Sequence, residues 1–306
     1  MNPVRMQLLL ISTMAVWGLN ISAIKVLTDY MDPLLISAYR MVLATVIINM
    51  TLVWSRRPIY LGRISRQHWL RFILCAILMV YANQLFFIGG MQGASATNGS
   101  LIMALSPLVA TGLAAVVFRE PLSRLRLAGI ALGFGGVFLV VLSGANAALT
   151  AAGWGEAKVF TGMFIFTAGG LLIQSLAKQF SALVISTMIY TMGTLMLCAH
   201  IYFSSVVVTW QTVFPAFWPV VLMIFSGVFA TAIGNMIWNR AIAELGASRT
   251  TLYQYWIPVF GVGFALILLG EAFTIWHGVG LVCILLGTYL GTRRPESVEA
   301  PSKQPA

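Results

Sequence analysis

The sequence predicts an all-α, polytopic integral membrane protein: ten transmembrane helices arranged as two inverted five-helix repeats. Three observations lead there. Of 306 residues, 59% are hydrophobic and 8% charged, with a mean hydropathy of +0.92, whereas soluble domains carry about 25% charged residues. Ten apolar runs approach the roughly 20 residues that a helix needs to cross bilayer hydrocarbon, and their connections are too short for a soluble domain. The two halves also echo one another at a nearly constant offset while their positive charge changes loops.

The first run, about 7–27, follows Arg5 and places Trp17 and Asn20 on one face. It is too long for the apolar core of a secretory signal and leads into LTDYMDPLL, a turn toward another span, so cleavage is not expected. The second run, 34–54, carries Arg40 near its N-terminal end, where the helix dipole disfavours a cation. In the third, 70–89, Tyr81 and Gln84 share a face with Asn83 beside them; the fourth, 98–118, opens on Asn98. The fifth, 127–143, presents Gly129, Gly133 and Gly136, and the sixth, 159–177, contributes Gln174. After the seventh, 183–203, the eighth, 216–239, sets Thr231, Asn235, Trp238 and Asn239 at i, i+4, i+7 and i+8, a single helical face. The ninth, 252–269, is entered through TTLYQYWIP, where Thr250, Tyr253, Gln254 and Ile257 face one way. The tenth, 274–291, repeats a small-residue face with Gly280, Gly287 and Gly291. The repeats are thus expected over 7–143 and 157–291, followed by a polar, proline-bearing tail, 292–306, read as disordered and cytoplasmic.

The net charge of +10 is a topology signal and not a nucleic-acid footprint. With ten spans and both termini in the cytoplasm, all but three of the 18 basic residues fall on the cytoplasmic side, as cytoplasmic loops require. The exceptions are Lys25, Arg40 and Lys158. An odd number of spans would scramble this partition.

The halves align residue by residue. Pro107 recurs as Pro258, Glu120 as Glu271, Gly129 as Gly280 and Gly136 as Gly287, all at the same separation. Leu34 to Ser37 matches Leu183 to Ser186, and GAS at Gly93 to Ser95 returns at Gly246 to Ser248. VVFREPLSRLRLAG carries Arg119, Arg124 and Arg126, yet its counterpart LILLGEAFTIWHGVG has no Lys or Arg. The GAS loops show the reverse, because only the second is bracketed by Arg240 and Arg249. Five helices is an odd number, so the second copy enters from the opposite face and its positive charge belongs on the other loops.

WGLNISAIKVL, then GASATNGSLIMALSPLVATGLAAVVFREPLSRLRLAGIALGFGGVFLV, then GASRTTLYQYWIPVFGVGFALILLGEAFTIWHGVGLVCILLGTYL resemble the drug/metabolite transporter superfamily. Within it they are similar to the EamA-type ten-helix permeases, and the likeness covers nearly all of the chain except the tail. The resemblance implies export of small metabolites, amino acids or drugs across a bacterial inner (plasma) membrane. Where members often carry a tyrosine in the eighth helix, this chain has Asn235.

Polar groups in hydrocarbon need a partner, a cavity or a purpose. Trp17, Asn20, Arg40, Tyr81, Asn83, Gln84, Asn98, Gln174, Asn235, Trp238, Asn239, Tyr253 and Gln254 are therefore the candidate substrate-binding set. They would line an aromatic and amide-rich central cavity for an amphipathic small molecule, or else hydrogen-bond helix to helix at about 0.6–2 kcal/mol each. Arg40 needs a counter-charge or a watery niche: it attracts a substrate carboxylate, or else it snorkels or forms a structural ion pair, with Asp29, Asp32 and Glu271 expected on its side of the membrane. Lys25 is expected to be an interfacial anchor. Glu120 and Glu271 are expected to cap the free N–H groups of a following helix, and the glycine faces to serve packing, within the chain or in a homodimer.

No cofactor or metal site is expected. Cys75, Cys198 and Cys283 stand singly in three spans, the three histidines are scattered, and GFGG at Gly133 to Gly136 lies in mid-helix, where it cannot cradle phosphate. All eight carboxylates lie near span ends, in loops or in the tail. An alternating-access carrier driven by a solute gradient or exchange fits this pattern, with proton coupling left open and assigned to no residue. A membrane-embedded enzyme would need acids, histidines or cysteines converging at one depth. A non-transporting assembly factor would show no flux in liposomes.

Overall fold

The computed structural model describes residues 3–55, 64–118, 124–143 and 152–292. Arg56, Arg57, Arg63, Arg119, Glu120 and the tail from 293 onward lie outside the described residues. Those described form ten helices and no strand: α1 (Pro3–Leu27), α2 (Pro33–Trp54), α3 (Arg66–Met91), α4 (Ala96–Val117), α5 (Arg124–Ser143), α6 (Ala152–Leu176), α7 (Ala182–Phe203), α8 (Phe217–Leu245), α9 (Arg249–Leu269) and α10 (Ile275–Thr292). A single helical turn, Trp210–Val213, precedes α8. Eight of these are long and apolar enough to span a bilayer, and α5 and α10 hold the shorter apolar stretches Leu127–Leu139 and Ile275–Leu290.

The helix starts follow local chemistry. Asp32 and Ser181 stand just before α2 and α7 and cap them, Asp32 accepting from Leu34 N at 2.8 Å and Ser181 from Val184 N at 3.4 Å. Ser95 caps α4, whereas the short helix Ala247–Thr251 that leads into α9 starts from Gly246, which offers no side-chain cap and whose φ of +86° favours glycine. The sixth helix begins earlier than the expected 159, so Glu156 lies inside it and is buried.

Packing obeys the repeat. Helices α2 and α7, α4 and α9, and α5 and α10 each lie against their own counterpart; the contact of α3 with α6 is answered by α8 with α1, and that of α1 with α9 by α6 with α4. Exchanging the halves therefore maps contacts onto contacts, as a pseudo-twofold demands. The tightest seam is α5–α10, where a Cβ at Gly136 would stand 2.7 Å from Gly280 O and one at Gly287 2.5 Å from Gly133 N. The small-residue faces are thus consumed within one chain.

Both α3 and α8 depart from α-geometry at the same place, widening into π-helical turns over Ile77–Ala82 and Phe225–Ile233. A π turn adds a residue to the helix and shifts the faces on either side of it. This shift decides which polar groups reach the centre.

Candidate functional site

Helices α1, α2, α3, α4, α6, α8 and α9 enclose a central cavity of about 80 Å³, room for several waters. Trp17, Asn20, Arg40, Asn83, Gln84 and Asn235, six of the expected residues, line it together with Thr231 and apolar walls from Phe87, Met103, Phe166 and Ile257.

Its polar wall is one connected chain. The Asn83 amide donates to Gly162 O at 3.0 Å, and Gln84 Nε2 donates to Asn83 Oδ1 at 3.0 Å. Arg40 donates to Gln84 Oε1 at 3.1 Å and to Thr231 Oγ1 at 2.9 Å. Thr231 in turn donates to Ser226 O at 2.7 Å, a carbonyl five residues back within the π turn, and Asn235 donates to Thr231 O at 2.9 Å. The Ser226 hydroxyl donates to Asn20 Oδ1. Another carbonyl of that turn, Ala230 O, accepts the Trp17 indole N–H at 2.9 Å. The π turn therefore supplies both the acceptor that orients Trp17 and the hydroxyl that holds Arg40.

Arg40 is 5% exposed, and among the described residues no carboxylate pairs with it. Of the two surroundings expected for Arg40, a counter-charge or a watery niche, the described residues provide no counter-charge, and the guanidinium lines the cavity instead. Asp32 is committed to the Leu34 N–H, and Glu271 accepts the Ala96 and Thr97 N–H groups at 2.8 Å each. Glu271 thus caps α4 in the opposite half and not the helix that follows it, clamping the two halves together. Arg40 Nε and Asn235 Oδ1 are buried with no hydrogen-bond partner. The cavity wall thus holds a guanidinium whose hydrogen-bonded partners among the described residues, Gln84 and Thr231, are both neutral.

The remaining expected residues lie elsewhere. The Tyr81 hydroxyl meets His200 Nδ1 at 3.0 Å, because the π turn ends at Ala82 and breaks the face that Tyr81 would share with Gln84. Asn98 donates to Glu156 Oε1 at 2.9 Å, Gln174 Oε1 accepts from Ala247 N at 3.2 Å, and Asn239 donates to Ser186 Oγ at 2.9 Å. Tyr253 packs, partly buried, against the core. Trp238 and Gln254 line a separate cavity of about 10 Å³, and Trp238 closes an aromatic layer with Trp17 (ring centroids 5.2 Å apart) and Phe166 (6.2 Å). Lys25 is more than an interfacial anchor, since its ammonium bonds Met91 O and Gln92 O at 3.2 Å and so covers the C-terminus of α3. Sequence reasoning missed Thr231 as the Arg40 acceptor and Glu156 as a buried carboxylate.

Comparison with known proteins agrees with this architecture. The model of the EamA-like transporter family matches residues 4–142 and again 153–293. The chain is 26% identical over 275 residues to the uncharacterized transporter YyaM of Bacillus subtilis, covering 88% of each chain. It is 27% identical over 292 residues to a probable amino-acid metabolite efflux pump of Salmonella typhimurium, covering 90% of each. With the S-adenosylmethionine/S-adenosylhomocysteine transporter of Chlamydia muridarum it shares 24% over 269 residues, or 84% of this chain and 82% of the relative. A solved crystal structure superposes with a TM-score of 0.68 at 15% identity, covering 94% of this chain and 98% of the other.

Proposed function

The chain belongs to the EamA-like transporter family, and from that membership we propose that it exports a small amphipathic solute bearing a carboxylate, an amino acid or a related metabolite, by alternating access. One observation carries the choice of solute: a buried guanidinium lines the central cavity with neutral partners only. A charge so placed costs a few kcal/mol in a membrane, and an arriving carboxylate offsets that cost. Trp17, Phe87 and Phe166 supply the apolar wall for the rest of the solute, and Asn20, Asn83 and Asn235 supply directed hydrogen bonds. The names of two relatives, one for amino-acid metabolites and one for S-adenosylmethionine and S-adenosylhomocysteine, support a solute of this class.

The working topology puts both termini in the cytoplasm of a bacterium whose inner membrane holds the protein, with the halves inverted. The bias of Lys and Arg supports it. A homodimer would have to use a surface other than the α5–α10 glycine seam.

Purified protein in liposomes tests the proposal. Labelled apolar amino acids should exchange across the bilayer, and their amides, which lack the carboxylate, should exchange at least tenfold more slowly, the scale of a charge-assisted hydrogen bond of about 1.5–3 kcal/mol. Equal exchange of acid and amide would remove the role given to Arg40. No flux of any amphipathic solute would favour a non-transporting assembly factor.

A further inference from the structure

The small cavity beyond the aromatic layer is lined by Phe166, Gly170, Trp238, Ala247, Thr251 and Gln254 among others. Four of these positions, Phe166, Gly170, Trp238 and Gln254, are the repeat counterparts of central-cavity positions. Counted from their helix starts, Trp17 in α1 corresponds to Phe166 in α6, and Ile21 to Gly170. Counted from the ends of the π turns, Phe87 in α3 corresponds to Trp238 in α8. On α4 and α9, Met103 corresponds to Gln254, with Ala96 matching Ala247. The first member of each of these four cavity pairs lines the central cavity and the second lines the small one. One chamber measures about 80 Å³ and its counterpart about 10 Å³.

The smaller chamber holds polar groups with nothing to bond. Gln254 is 1% exposed, and both its Nε2 and its Oε1 lack a partner; the Trp238 indole N–H, equally buried, lacks one too. An amide with both ends idle in a protein interior is a standing cost, and methionine at the matching position avoids it. The chemistry also differs between the chambers, because the repeat counterpart of Arg40 is Ile189.

We infer that the small cavity is a second solute station, opened when the central one closes, at which Gln254 and the Trp238 N–H bind the hydrogen-bonding groups of the solute without a fixed positive charge. This rests on the transport reading above. The solute is then held by a cation at the central station and by a neutral amide at the other, with the Trp17–Phe166–Trp238 layer between them.

Two measurements on Gln254→Leu test it, with Gln254→Asn and Trp238→Phe as companions. The first is the melting temperature of the purified variant. Removing an idle amide for an apolar group of similar size should leave the melting point unchanged or raise it, whereas an amide that serves the fold would lower it on removal. The second is exchange in vesicles of known orientation, with the labelled amino acid applied to one face at a time. Gln254→Leu and Trp238→Phe should raise KM about tenfold at the face served by the small chamber, leaving KM at the other face unchanged, and Gln254→Asn should recover part of the loss. A lowered melting point, or KM shifts equal at both faces or absent at both, would overturn the second station. Failure of the wild-type protein to move any solute would instead reject the transport reading, and the melting result would still decide whether Gln254 is structural.

Discussion

Arg40 shows how far a single residue can be read. Its need for shelter was legible, since a lone arginine early in an apolar run is costly in hydrocarbon, and it is 5% exposed. Its partners were not, because the three carboxylates expected on its side include Asp32 and Glu271, which spend their oxygens on helix N-termini. Backbone N–H groups at a helix start compete well for a carboxylate, and no sequence pattern tells which acceptor wins. Arg40 is left with Gln84 and Thr231. Arg40→Gln should therefore raise KM for a carboxylate-bearing solute by about tenfold to a hundredfold and leave transport of its amide little changed. Arg40→Lys should fall between, since an ammonium keeps the charge and loses the planar fork that reaches two acceptors. Steady-state exchange of acid and amide by the three proteins checks this. Equal losses for both solutes would mean that Arg40 only braces the helices.

Elements were legible to the extent that they obey regular geometry. Span number and order follow from apolar run length, and of the four residues read on one face of the eighth span, Thr231 and Asn235 line the cavity while Trp238 and Asn239 do not. Tyr81 failed the same reasoning because the π turn over Ile77–Ala82 separates it from Gln84, and a 3.6-residue period cannot foresee that insertion. The glycines of the fifth and tenth spans announced close packing without naming the partner. At Gly287 a Cβ would meet Gly129 O at 2.6 Å and Gly133 N at 2.5 Å, both backbone atoms that cannot step aside. Gly135, in the same α5, has nothing within 4 Å of its virtual Cβ. Gly287→Val should therefore lower the melting temperature of the detergent-solubilised protein and its yield from membranes. Gly135→Ala should leave the melting point unchanged or raise it slightly, because alanine is favoured over glycine in a helix by about 1 kcal/mol. If both variants melt alike, the α5–α10 seam is not the close contact described.

At the scale of the whole molecule, the arrangement depends on the second half being upside down, and the distribution of loop charge argues for this, while the contacts argue for a pseudo-twofold between the halves. Arginines crowd the loop after the fourth span and are absent after the ninth, while the GAS loops show the opposite. Such an exchange follows if each loop obeys the same rule on its own side of the membrane. Contacts repeat when the halves are swapped, and Glu271 of one half caps α4 of the other, so the halves fold as one body around the central cavity. The sequence could carry the inversion because loop charge is local, whereas the two unequal chambers depend on how seven helices lean together. Inversion predicts that Gln92 and Ala243, both exposed and each just before a GAS segment, face opposite compartments. In a background with Cys75, Cys198 and Cys283 replaced, Gln92→Cys should react with a membrane-impermeant maleimide in intact cells. Ala243→Cys should react only after the membrane is opened. Labelling of both from one side would require the halves to be parallel, and a parallel pair could not exchange one open chamber for the other across the bilayer.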